Sequence, residues 1–418
     1  MESKSPAESD HQLVSALRAE IETLKAELHA KSKTTHDFPT LFDLPPYPSK
    51  RADRVDPSST TATVMRAVTF DFEQKKFLYR TDAPIPEPGP GEARVRVVAA
   101  SANPIDSLHH LWSELVDQDN PQRASFVVGV DFAGVIEKLG STTVASTEGG
   151  SCQFQVGDRV VCHPLIAKGC GAYAEYAIGQ LPYLIKIPSS ISFESAAATP
   201  CACWTAYKSL STMGISQGKS ILISGGAGGL GGFAIQLARN IGCHPIITTC
   251  SPSNNERVLQ LGATHCVNYR SATLLDDLKK VIRQANKEKG GQKGASSAVV
   301  VDFIHDGVSS SSAKQLAELL AFDGHIACCS GILPRSEGEP YFRSWTIHDI
   351  ATAPPAYFGG HDAHYRFMGR EVMKLLVAGN IDPMITKAWR LSEEFAQALT
   401  TRTATKTGGK SIVSLHVK

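Results

Sequence analysis

The stretch "ILISGGAGGLGG", Ile221 to Gly232, constrains the fold more than any other part of the chain. Its first four residues read as a buried strand, and six glycines follow within the next eight positions. Glycine loses more backbone freedom on folding than any other residue, so such a run is expected only where a Cβ has no room. The next segment, "GLGGFAIQLARNIG", has the apolar spacing of a helix that ends at Gly242. A strand, a bare turn and a helix in that order open a βαβ unit. Gly226, Gly228 and Gly231 satisfy G-x-G-x-x-G inside it. The early glycines then permit a tight turn and let backbone N–H groups reach a pyrophosphate, while the last lets the helix pack on the strand. The helix N-terminus adds partial positive charge at the phosphates. The alternative is a glycine-rich turn with no ligand.

The segments after it alternate. "HPIITTC", "HCVNY", "SAVVVDFI" and "GHIACCSG" read as strands, and "NNERVLQLG", "ATLLDDLKKVIRQAN" and "SAKQLAELLAF" as helices. Continuously apolar strands between helices predict a parallel sheet covered on both faces. Before them, "VMRAVTFD", "KKFLYRTD", "EARVRVVAASA", "VVGVDFAGVIEKLG", "FQVGDRVVCHP", "AYAEYAIG" and "LIKIPS" are short strands with Gly/Pro turns, which predicts a barrel-like β domain. "FESAAATPCACWTAYKSL" is a helical junction, and residues 141–153 a surface loop. After Leu333 the pattern is irregular except for a helix at "HYRFMGREVMKLLVAGNI" and a last strand, "SIVSLHV", expected to rejoin the β domain. The expected division is an N-terminal helix at 1–32, a linker at 33–63, β domain at 64–200, α/β domain at 201–353 and the return at 354–418. Leu13, Leu17, Ile21, Leu24 and Leu28 form the stripe of that first helix, either a short coiled coil or a solvated helix.

Composition narrows the function. A net charge of +1 gives no electrostatic reason to expect a nucleic-acid or membrane-surface partner. No apolar run reaches the ~18 residues of a membrane span. Ten cysteines without a CxxC pair, and no leader-like N-terminus, suit reduced thiols in a cytoplasmic enzyme acting on a small molecule.

The end of the second α/β strand selects the dinucleotide. An NAD site usually carries Asp or Glu there to hold the ribose 2′-OH. Here the place reads "TTCSPSNNER", with neutral Thr249, Cys250 and Ser251, and Glu256 already in the next helix. Such an end does not repel a 2′-phosphate, so NADPH is the expected cofactor. Arg257 either adds charge or is an ordinary surface residue. Tyr269 either packs on the adenosine end or is a core aromatic.

With these motifs in hand, the chain resembles the medium-chain dehydrogenase/reductase superfamily, in its zinc-free quinone oxidoreductase and enoyl reductase branch. The resemblance is carried by "MRAVTF", "PEPGPGEARVRVVAASANPID", "GVDFAGVIEKLG", "VGDRV", "AYAEYAI", "SFESAAATP", "WTAYKSL", "SGGAGGLGG", "LGATHCVNY" and "GGKSIVSL". It implies a GroES-like β-barrel domain with a Rossmann doubly wound parallel sheet inserted, and the cofactor in the cleft between them. It also implies that Gly228, Gly229, Leu230 and Gly231 face the pyrophosphate. Ser251, Pro252, Ser253 and Asn254 would surround the 2′-phosphate, and Thr205 would sit near the nicotinamide. Asn103 and Asp106 of "NPID" would line the active site, with a helix cap as the other reading of Asp106. A homodimer is a further expectation from relatives.

Zinc-dependent relatives use a Cys, the His of "GHE" and a second Cys. Here the first place is taken by Asn103 or a neighbour in "SANPID", the "GHE" place reads "GVDFAG", and only Cys201 lies near the second cysteine position, which predicts no metal. Cys162, His163 and Cys170 look like a cluster, but a loop between two strands is the expected reading. Some relatives also have a tyrosine shortly after "NP"; this chain has His109 and His110, so His109 becomes the candidate proton donor, against a surface histidine. The expected activity is hydride transfer from NADPH to an activated C=C bond or a quinone. The alternatives are a non-catalytic dinucleotide-binding protein and a zinc-type alcohol dehydrogenase.

Overall fold

The computed structural model describes residues 63–108, 126–141, 154–163, 171–288, 299–333, 342–352 and 362–415. The expected N-terminal helix and linker, His109, His110 and Cys170 lie outside the described residues.

β1 (Val64–Asp71) and β2 (Lys76–Pro84) pair antiparallel. β3 (Glu92–Ala102) is the spine of a seven-stranded sheet, and over its first eight residues every second one is buried because one face packs inward. It pairs with β4 (Phe132–Leu139) and with β6 (Tyr176–Gln180). β5 (Arg159–Cys162) and β7 (Ile185–Lys186) extend the sheet. The chain then leaves through α1 (Phe193–Ala197), a π-turn at Pro200–Trp204 and α2 (Thr205–Thr212). The junction read as one helix is therefore three pieces. Pro200 cannot donate a hydrogen bond, and the wider turn after it absorbs the break.

The second sheet holds β8 (Ile221–Ser224), β9 (Ile246–Cys250), β10 (His265–Asn268), β11 (Val301–Asp306), β12 (Leu320–Cys328) and β13 (Thr346–Asp349). Its order is β10-β9-β8-β11-β12-β13, every pairing parallel. The order reverses between β8 and β11, which is where open α/β sheets bind ligands beyond the strand ends. α3 (Gly229–Ile241), α4 (Asn255–Leu261), α5 (Leu274–Glu288) and α6 (Ser310–Ala317) connect the strands. Leu222, Ile247, Val267, Ile304 and Ile326 form one face of the core, under Leu278 and Ile282 of α5 and Leu316 of α6. Strand alternation turns Ile223, Thr248 and His305 to the other face, where α2 and α3 pack. After α7 (Asp362–Val377), β14 (Ile385–Arg390), α8 (Glu393–Thr400) and β15 (Lys410–Ser414), the chain is back in the first sheet, β15 lying antiparallel to β3.

Three elements depart from the sequence reading. The helix expected over "SAKQLAELLAF" ends at Ala317, and Leu320 begins β12. Leu319 and Leu320 are both buried, and adjacent apolar residues fit either period. β13 and β14 were not expected because their strands are largely exposed and carry no apolar alternation.

Protein packing accounts for most of the bare loop. Gly225 has φ +73°, which suits glycine. A Cβ on Gly226 would collide with Oγ1 of Thr248, and one on Gly231 with the carbonyl oxygen of Gly225. The Gly231 clash is with backbone and cannot be relieved by a rotamer. We expect Gly231→Ala to destabilise the fold by about 1–3 kcal/mol. Urea denaturation checks it, and a midpoint equal to wild type contradicts it.

Candidate active site

Two hydrogen bonds tie the glycine loop to β9: Gly225 N–H donates to Oγ1 of Thr249 at 3.1 Å, and Gly226 N–H to its carbonyl at 3.0 Å. Gly228 caps α3 in an extended conformation. A Cβ there would meet only the carbonyl oxygen of Gly225, at 3.4 Å. Gly229 and Gly232 instead face the returning chain, where added Cβ atoms would lie 2.8 Å from Cδ of Lys410 and 2.5 Å from Sδ of Met384. Gly228 is thus the one motif glycine whose bareness protein packing does not require. Beside it, the first-turn N–H groups of Gly229, Leu230 and Gly231 have no acceptor within the helix, which makes a cradle for an anion.

Beyond β9, Pro252 opens a single 3-10 turn. Asn254 Nδ2 donates to Oγ of Ser251 at 2.7 Å, and the hydroxyls of Ser251 and Ser253 lie 3.1 Å apart. Arg257 is not an ordinary surface residue, the reading the sequence left open. Its Nη2 is buried with no partner among the described residues. Burial lowers its pKa, yet a guanidinium stays charged at neutral pH. The side chain lies against Gly408 and Gly409, where an added Cβ on Gly409 would be 2.7 Å from Nη2. Tyr269 is 47% exposed, so it is not a core aromatic. Its N–H donates to the carbonyl of Cys250 at 3.3 Å, beside the same corner.

A buried polar cluster closes the other side. Asp131 has no exposed surface and three donors. Asn103 Nδ2 reaches Oδ2 at 2.8 Å, while Cys201 N–H reaches Oδ1 at 2.9 Å. His163 Nδ1 also lies 2.9 Å from Oδ1. Nδ2 of Asn103 also donates to the carbonyl of Ser101 at 3.2 Å, and its Oδ1 accepts from Nζ of Lys410 at 2.5 Å. Asn103 therefore has both amide hydrogens committed to the protein and holds position rather than offering a donor. Lys410, only 2% exposed, lays its stem on Gly229 and its ammonium on Asn103, joining the glycine loop to this cluster. Asp106 caps as expected, accepting from Asn103 N–H at 2.8 Å, and also accepts from the Tyr173 hydroxyl at 2.5 Å. Thr205 Oγ1 donates to the carbonyl of Cys201 at 2.5 Å and lies 2.6 Å from Oγ1 of Thr352.

The structure thus gathers Asn103, Asp106, Cys201 and Thr205 on one side and Gly226 to Gly231 on the other, with Ser251 to Asn254 and Tyr269 at the far end of the loop. Sequence reasoning passed over Lys410 and Asp131. An aspartate inside the otherwise apolar "VVGVDFAGVI", and a lysine between two glycines and an apolar strand, were the available signals. Among the described residues no group of three His, Cys, Asp or Glu side chains is placed to hold a metal. His163 pairs with Asp131, and burial raises the Cys162 and Cys201 thiols.

Burial raises the Asp106 carboxyl to about 7, against its hydrogen bond from Tyr173. The folded state then holds a proton that the unfolded state has released, so stability falls as pH rises from the ordinary carboxylate range through 7. Asp106→Asn removes that dependence, worth at most about 4 kcal/mol. Denaturation of both proteins at pH 5 and 8 checks this; parallel losses contradict it.

Two family models match the chain: an alcohol dehydrogenase GroES-like domain over residues 89–189, and a zinc-binding dehydrogenase over 229–350. The chain is 34% identical to 2-methylene-furan-3-one reductase of Solanum lycopersicum, over 46% of its own length and 48% of that protein. It is 28% identical to quinone oxidoreductase of Homo sapiens, over 64% of its length and 74% of that protein. The chain thus spans about half the length of the tomato relative it matches. The crystal structure of an alcohol dehydrogenase superfamily protein from Novosphingobium aromaticivorans shares the fold, with a TM-score of 0.69 at 22% identity over 85% of this chain and 100% of that one. With a GroES-like sheet that the chain leaves and re-enters around a six-stranded Rossmann sheet, and with both family models matched in order, the chain belongs to the medium-chain dehydrogenase/reductase superfamily.

Proposed function

We propose that this chain is an NADPH-dependent reductase that transfers hydride to a carbon–carbon double bond conjugated to a carbonyl, without zinc. The observation that carries the reading is the corner of Ser251, Ser253, Asn254 and Arg257 at the end of the glycine-loop sheet. A 2′-phosphate there meets hydroxyls, an amide and the half-buried guanidinium of Arg257, whose Nη2 has no hydrogen-bond partner among the described residues. An NAD-type carboxylate is missing from the strand end, and Glu256 is exposed on α4. The likeness to the tomato furanone reductase supports the substrate class. Quinone reduction is the second reading, favoured by the likeness to human quinone oxidoreductase.

The donor set does not fit zinc. At the three ligand places stand a neutral amide already bonded to Lys410, the buried Val130, and Cys201 with a thiol kept protonated by burial and by Asp131. A catalytic zinc needs three protein ligands. The residues matched by the zinc-binding dehydrogenase model, 229–350, include none of these positions.

When bound, the reduced nicotinamide supplies the hydride. The residues of the chain position it. The N–H groups of Gly229 to Gly231 hold the pyrophosphate, and the Thr205–Thr352 pair fixes the wall beside α2. Negative charge develops on the substrate carbonyl during transfer, and the Lys410 ammonium provides a preorganised positive charge on that side of the loop.

Fluorescence titration tests the cofactor assignment. NADPH should bind more tightly than NADH, and Arg257→Gln should weaken NADPH about 10–100-fold while leaving NADH unchanged. Equal affinities, or no effect of Arg257→Gln, contradict it. NADPH oxidation with a 2-enal and with 9,10-phenanthrenequinone then separates the substrate readings. Binding without turnover of either favours a non-catalytic protein.

A further inference from the structure

Two histidines meet across the outermost strand pair of the parallel sheet. β12 and β13 are in register over 325–328 against 346–349, and β13 is the last strand in the order. His325 pairs with Thr346 and Ala327 with His348, so strand alternation puts both imidazoles on one face. Both side chains are half-buried. Nδ1 of His325 lies 3.0 Å from Nε2 of His348. The ring planes are within 15° of each other, yet the centroids are 5.3 Å apart. Nitrogens so much closer than the centroids mean that the rings meet edge to edge in nearly one plane. The contact is an N–H···N hydrogen bond rather than a face-to-face stack.

Such a bond needs one nitrogen without a proton. A neutral pair satisfies it, and so does a pair that has gained one proton. A second proton leaves donors on both sides and two like charges in contact. His348 is held below the ordinary histidine range, first by burial and then by His325, against the pull of Asp349. On β11, His325 faces the ring of Phe303, with centroids 5.7 Å apart. The next residue on that face of β11 is His305, whose pKa burial lowers to about 4, so it is neutral. Asp323, two residues before His325 on β12, is exposed. On α2, Nζ of Lys208 donates to the carbonyl of Ala351 at 2.7 Å.

β13 runs straight into the wall beside α2. Ile350 N–H donates to the carbonyl of Cys328 at 2.9 Å, Ala351 receives Lys208, and Oγ1 of Thr352 lies 2.6 Å from Oγ1 of Thr205. We propose that the His325–His348 bond is a proton-sensitive latch that positions the 350–352 wall at neutral pH and releases it on acidification. Its effect on turnover rests on the reductase reading above; the latch itself does not. Because the folded state takes up the second proton less readily than the unfolded chain, the stability of this contact falls as pH drops below the ordinary histidine range. The sign is opposite to that of Asp106.

Hydrogen–deuterium exchange over residues 346–352, read by mass spectrometry and corrected for intrinsic rates, tests the latch without any ligand. Wild type and His348→Gln should be equally protected at pH 8. At pH 5 wild type should exchange about tenfold faster than His348→Gln, whose amide pairs with His325 whatever the charge on the ring. His325→Gln should match His348→Gln and keeps the test intact if one variant does not fold. His348→Phe, which lacks the bond at every pH, should be as poorly protected at pH 8 as wild type is at pH 5. In NADPH oxidation with a 2-enal, kcat/KM of wild type should fall about tenfold more between pH 8 and pH 5 than that of His348→Gln. Equal protection of wild type and His348→Gln at pH 5 overturns the latch. Acid release of the segment in a protein that turns over neither a 2-enal nor a quinone supports the latch and overturns only the reductase reading.

Discussion

The site depends on one buried carboxylate. Asp131 has no contact with solvent and must be met by donors inside the protein. Those donors come from three separate segments: Asn103 after β3, His163 after β5, and the backbone of Cys201 in the π-turn before α2. Removing any one leaves a buried charge less well paired, so the three are held in one geometry. Asn103 passes the constraint to Lys410, whose stem rests on Gly229 of the glycine loop. Cys201 passes it to Thr205 through its carbonyl. One carboxylate thereby links the β domain to both walls of the cleft.

The glycine run can be divided on physical grounds. Gly225 supplies a positive φ; Gly226 and Gly231 let the loop close on β9 and on itself; Gly229 and Gly232 let the returning chain dock. Only Gly228 lacks a protein reason to be bare. The loop is therefore a domain junction as well as the proposed phosphate cradle, and the backbone proposed to face a pyrophosphate is pressed from behind by Lys410 and Met384.

What the sequence made legible was local. β3 follows a period-two pattern over its first eight residues, and the glycine motif reads directly because strand, turn and helix are contiguous. Edge strands β13 and β14 escaped because exposed strands carry no apolar signature. The two readings of Arg257 stayed open in the sequence because its guanidinium lies against Gly408 and Gly409, far away in the chain. Asp131 and Lys410 escaped for the same reason: their partners lie tens to hundreds of positions distant, and no spacing rule reaches so far.

In the proposed function, hydride moves directly from the nicotinamide to carbon, with positioning and fixed charge in place of a metal. The most direct measurement is mass spectrometry of the product formed from a conjugated enone and NADPH deuterated at C4 on the transferred face, using chelator-treated protein. The account predicts deuterium at the β-carbon of the saturated product. Transfer that appears only after zinc is restored would contradict it.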